Sequence, residues 1–161
     1  EYSNELGNFL ESIREKLIKF MCKRLLDDHV NKARIEEIFE EINNNLQEIG
    51  IKENEPISTI KIIHVTAPHY FPLIDNSIAK AIGLIIERER ITINSYIKWM
   101  KSLKKWLENY REVIKVIEGK FHGNYSILKL VDEGLYMMST VTQRRRVASL
   151  GIEIVRDYYP Y

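Results

Sequence analysis

The sequence predicts an all-α fold, a single-domain bundle of about six helices. Apolar residues recur every three or four positions through most of the chain, the spacing that lines one face of an α-helix. Glycine and proline, which punctuate turns and strands, number only 7 and 4 in 161 residues. A chain of that length fits one core of the usual ~100–200 residues, and no internal repeat, low-complexity tract or long linker divides it.

The first helix is predicted over 3–28, where Leu6, Phe9, Leu10, Ile13, Leu17, Phe20, Met21 and Leu25 share a stripe. A second runs over 31–49, opened by Asn31 as N-cap, lined by Ile35, Ile38, Phe39, Ile42 and Leu46, and stopped by Gly50. The two are expected to pair as an antiparallel hairpin. Pro56 stands where prolines open helices, and a third helix over 57–66 ends ahead of Pro68. Pro72 forbids regular helix through the next stretch, after which Asp75 caps a fourth over 76–86. A long fifth helix is expected over 92–118, its stripe being Tyr96, Trp99, Leu103, Trp106, Tyr110, Val113 and Ile117, with Gly119 as its stop. A sixth follows over 126–142. Residues 152–159 read as a short strand or an extended strap.

Composition removes several function classes. With 45% hydrophobic and 29% charged residues the chain is globular rather than disordered. No apolar run approaches the ~20 residues that span a bilayer. No secretory signal is evident, so a cytoplasmic protein with no membrane partner is expected. The single Cys22 rules out an intrachain disulfide and four-cysteine metal sites. His29, His64, His69 and His122 lack metal-ligand spacing, and His64 on an apolar helix reads as a hydrogen-bonded core histidine. No glycine-rich phosphate loop, nucleophile motif or cofactor signature is present. Abundant Ile, Lys, Glu and Tyr fit a thermophile, or equally an AT-rich coding bias.

Net charge is +1, yet residues 1–87 carry −5 and residues 88–161 carry +6. A basic half can meet phosphates, or simply solvate and attract the acidic half. Lys98, Lys101, Lys104, Lys105, Arg111 and Lys115 are expected on one arc of the long helix, opposite its tryptophans. Arg144, Arg145 and Arg146 form a denser group that suits a helix C-terminus or a phosphate contact.

The segment most suggestive of chemistry runs from Pro56 to Leu84. Within it Ile63-His64 precedes Pro68, then Phe71-Pro72-Leu73-Ile74-Asp75 opens the next helix. Over about residues 56–84 this resembles the helix-hairpin-helix superfamily of base-excision DNA glycosylases, and more closely their relatives bearing a Phe-Pro-x-x-Asp segment. The resemblance implies DNA as partner and makes Asp75 the candidate catalytic carboxylate, stabilising positive charge on a sugar as its base departs. The chain departs from the lyase members: their nucleophilic lysine and following threonine fall at Ile57 and Ser58. Lys61 lies one turn on and is expected to face elsewhere. Lys52-Glu53-Asn54-Glu55-Pro56 stands in place of their phosphate-gripping glycine hairpin.

Two readings follow. One is a nucleic-acid-associated domain in DNA metabolism, glycosylase-like but without lyase activity, contacting DNA through Arg144, Arg145, Arg146, Lys98, Lys101 and Lys105. The other is a helical interaction module, with a protein partner or a second copy, in which Asp75 is a helix cap. A cleft at Asp75 flanked by basic residues favours the first; a buried cap beside an exposed apolar groove favours the second.

Overall fold

A computed structural model describes residues 2–48, 50, 56–85, 90–120 and 126–144, including side chains except those of 2–7, 10 and 139–144. The described residues form seven helices and the segments between them, with no strand among them: α1 (Tyr2–Met21), α2 (Lys32–Glu48), α3 (Pro56–Thr66), α4 (Asn76–Ala81), α5 (Ile93–Asn109), α6 (Arg111–Lys120) and α7 (Ile127–Arg144). The segment over 152–159 lies outside the described residues.

Helices α1, α2 and α3 pack against one another, α5 lies on α2, and α7 packs on α4. Lys16 of α1 pairs with Glu37 and Glu41 of α2, while Arg34, nearer the start of α2, sits over the ring of Phe20, nearer the end of α1. The later α1 residue thus meets the earlier α2 residue, which is the expected antiparallel hairpin. Asn31 caps α2 by accepting from the Arg34 amide at 3.1 Å, and Gly50 takes a φ of +80°, the left-handed conformation that glycine adopts without cost.

One core joins these elements. Leu17, Ile35, Ile60, Ile63, Tyr70, Phe71, Ile74, Tyr96, Met100 and Leu107 have no measurable exposure. At its centre Phe20 touches Tyr70 and Phe71, with ring centroids 4.9 and 5.1 Å away.

Three boundaries differ from the sequence expectation, two of them for a tertiary reason. Helix α1 stops at Met21, although Leu25 keeps the helical spacing and is buried. Residues 22–31 instead form a strap, with Arg24 N donating to Asp28 Oδ2 at 2.9 Å and Leu25 N to His69 O at 2.9 Å. Met21, placed inward by the periodicity, is therefore 48% exposed. Helix α4 is only six residues, closed by Ile82 and by Gly83 at φ +73°. The expected long helix over 92–118 breaks at Tyr110, giving seven helices rather than six. Beyond the break Ile114 turns inward while Tyr110 and Val113, expected in the stripe, face outward. The strap explains the break: Arg111 reaches Asp27 at 2.8 Å and Leu26 O at 3.3 Å, and Arg24 pairs with Glu118. Gly119 lies inside the last turn of α6 instead of stopping a helix.

Candidate functional site

The loop between α3 and α4 carries Asp75, and its buried carbonyls are satisfied from four directions. Ser126 Oγ donates to Pro68 O at 2.9 Å, the Leu25 amide to His69 O, and Tyr96 Oη to Pro72 O at 2.9 Å. His64 Nδ1 is 2.7 Å from Phe71 O, so that nitrogen must carry the hydrogen. Buried backbone groups away from regular structure need such partners. His64 is thus the hydrogen-bonded core histidine its setting suggested. Tyr96 and Ser126 were not foreseen as pins, because nothing local in the sequence links them to this loop. Tyr70 ties the loop to the strap by donating to His29 O at 2.7 Å. Burial pushes the Tyr70 phenol up to about 12 and that of Tyr96 well above the ordinary tyrosine value.

This fixed loop delivers Asp75 to the start of α4. Its Oδ1 accepts from the Ile78 amide at 2.7 Å, the N-cap bond the sequence predicts. Asp75 is half-buried and also lines a cleft of about 500 Å³ between α3, the loop, α4 and α7. The floor is Leu73, Ile74 and Ile78; the polar lining is Lys61, Asp75, Lys129, Asp132 and Glu133, with Tyr136 and Met137 completing the wall. Asp75 is thus the predicted cap, and it also lines a cleft to which both lysines and carboxylates contribute. Lys61 lines the same cleft as Asp75, whereas Ile57 is not among its lining residues.

Charges in the cleft are unequally committed. Lys129 Nζ is 3.3 Å from Asp132 Oδ2 and 3.6 Å from Glu133, and the bond it donates to Asp132 raises the Lys129 pKa. Asp132 has a side chain 10% exposed and accepts from Lys129. Lys61 is exposed and has no ion-pair partner among them.

The basic arc divides into two sets. Lys104 turns inward, donating to Leu25 O at 3.2 Å and Leu26 O at 2.8 Å and pairing with Glu108 at 3.1 Å. Arg111 is held by the strap, and Lys115 pairs with Glu112 at 2.8 Å. These three leave the expected phosphate face. Lys98, Lys101 and Lys105 are exposed along α5, and the first two have no ion-pair partner among the described residues. None of the α5 lysines lines the Asp75 cleft. Arg144 ends α7 with its side chain outside the described residues, as Arg145 and Arg146 are altogether. The arginine group is thus not placed relative to either feature.

No group of three or more His, Cys, Asp or Glu among the described residues is arranged to hold a metal ion, and no described helix is long and apolar enough to cross a membrane. No protein-family model, curated protein or solved structure matches the chain.

Proposed function

We propose that this chain is a nucleic-acid-associated helical domain whose phosphate contact is the α5 face of Lys98, Lys101 and Lys105, with Arg144, Arg145 and Arg146 as a second candidate group read from the sequence. The observation that carries this reading is the division of the α5 lysines. Lys104 is consumed by the fold, whereas Lys98 and Lys101 stand exposed with no ion-pair partner among the described residues, and Lys105 is exposed on the same face at i+7. Lysines at that spacing present a row of charge to a phosphate backbone, which binds chiefly by releasing condensed counterions. The glycosylase resemblance adds DNA as the nucleic acid and Asp75 as the carboxylate facing a cleft; Ile57 in place of the nucleophile argues against lyase chemistry. The test is a titration of fluorescent single- and double-stranded DNA at two salt concentrations, with Lys98, Lys101 and Lys105 replaced by Ala in one variant and Arg144, Arg145 and Arg146 in another. Salt-sensitive binding weakened by the lysine change supports the reading; no binding at low salt ends it.

The interaction-module reading has its own observation. Tyr110, Val113 and Val116 are 43%, 55% and 60% exposed around the start of α6. An apolar strip of that kind suits a protein partner or second copy. Sedimentation of the chain with and without Val113→Asp and Val116→Asp tests it: concentration-dependent association lost in the variant favours this alternative.

A further inference from the structure

Helix α6 buries one side through Ile114 and leaves the other uncovered, with Val113 and Val116 55% and 60% exposed. Glu112, Gly119 and Lys120 are exposed as well. At about 100° per residue, Val116 lies nearly opposite Ile114, flanked by Glu112 and Gly119 on one side and by Val113 and Lys120 on the other. Nothing in the chain lies within 4 Å of where a Cβ on Gly119 would stand, so no packing within the fold requires the glycine. The charges on this face are mixed. Glu112, 82% exposed, is 2.8 Å from Lys115, and Lys120 has no ion-pair partner among the described residues. A partner of one sign, a phosphate backbone included, therefore meets repulsion at one end of the strip. A partner with the same charges in reversed order meets attraction at both ends, and a second copy related by a two-fold axis presents them that way.

We infer that α6 pairs with α6 of a second copy, antiparallel, about a two-fold axis at Val116. Val116 then packs on its own counterpart. Glu112 and Lys120 each stand four residues from the axis, about 6 Å along the helix, so Glu112 comes level with the second copy's Lys120. Gly119 lies on the flank where the second copy's Glu112 arrives, and its missing side chain gives that carboxylate room to reach across to Lys120. A single helix about 15 Å long falls short of the ~1,200–2,000 Å² of a stable interface, so the dimer is weak and reversible. The inference rests on the interaction-module reading of this strip and fixes its partner. The α5 lysines take no part in it, so the phosphate reading stands or falls separately.

The test is sedimentation equilibrium of the full, reduced chain up to about 1 mM, where self-association with a Kd on the order of 0.1 mM is expected. Gly119→Glu meets nothing in its own chain and replaces a glycine within a helix, so circular dichroism should show no loss of helix. It sets bulk and a like charge against the second copy's Glu112, and association should weaken at least about tenfold. Cross-linking reads the geometry in a Cys22→Ser background, since Cys22 is the chain's one cysteine and is exposed. With diamide as oxidant, Val116→Cys, which faces itself across the axis, should form a disulfide-linked dimer at least about tenfold faster than Val65→Cys on α3. Val65 is the more exposed of the two, at 79%, so accessibility alone predicts the reverse order. A chain that stays monomeric at about 1 mM overturns the inference and leaves the strip to a different protein. Association unchanged by Gly119→Glu, or Val116→Cys linking no faster than Val65→Cys, overturns it too. If Val113→Asp and Val116→Asp still abolish association in those cases, the interaction-module reading survives and only this pairing fails.

Discussion

Lys104→Met separates the structural lysines of α5 from those assigned to phosphate. Methionine keeps the apolar stem, which lies against the strap in a side chain 21% exposed, and removes only the ammonium. Lost with it are the bonds to Leu25 O at 3.2 Å and Leu26 O at 2.8 Å and the pair with Glu108. A hydrogen bond to a charged donor contributes about 1.5–3 kcal/mol. The two carbonyls share one ammonium, Leu26 O keeps Arg111, and Glu108 is 45% exposed and adds little. The net loss should be about 2 kcal/mol, within the range for one such bond and below the ~3–6 kcal/mol of two independent ones. Urea unfolding, followed by circular dichroism, measures it against Lys101→Met, where an exposed side chain predicts a change within ~0.5 kcal/mol. DNA affinity should respond in the opposite order, falling for Lys101→Met and holding for folded Lys104→Met. Equal stability of the two variants would refute the claim that Lys104 is held by the strap.

Other outcomes follow from the same geometry. Tyr96→Phe should cost about 1–3 kcal/mol, because it leaves the buried Pro72 carbonyl without its donor; urea midpoints measure this. Asp75→Ala should cost about 1 kcal/mol and Asp75→Asn much less, since asparagine also caps; the difference between their unfolding free energies is the readout. The Tyr70 phenol, pushed up to about 12 by burial, holds its proton in the fold after the unfolded chain has begun to release it near pH 10. The stabilisation is thus fully present below pH 10 and declines toward pH 12, at most about 1.4 kcal/mol per pH unit for this group. Urea midpoints across that window should fall, and a flat profile would contradict the burial of the phenol.

Where local chemistry determined structure, the sequence was legible. Asn31 and Asp75 cap as their side chains suggest, Pro56 opens α3, and Gly50 takes the left-handed conformation at the end of α2. The errors fall where tertiary contacts override periodicity. Leu25 repeats the spacing of Leu17 and Met21, so it reads as helix, yet its amide is drawn to His69 of a distant loop. No proline or glycine marks the break at Tyr110; it accompanies pairing of Arg24 and Arg111 across the strap, with partners 94 and 84 residues apart in sequence. The site was legible at Asp75 alone. Lys129, Asp132 and Glu133 carried no signal, because only the packing of α7 on α4 brings them to the cleft.

The most direct test of the phosphate assignment is the salt dependence of DNA affinity for the unmodified chain and for the Lys98→Ala, Lys101→Ala, Lys105→Ala variant. Each lost phosphate contact lowers the steepness of log affinity against log salt by about 0.9 on duplex DNA, so three should lower it by about 2.7. A variant that stays folded and loses that much slope, with weaker binding at every salt, is the predicted result. An unchanged slope, or no binding by the unmodified chain near 50 mM salt, would contradict the account.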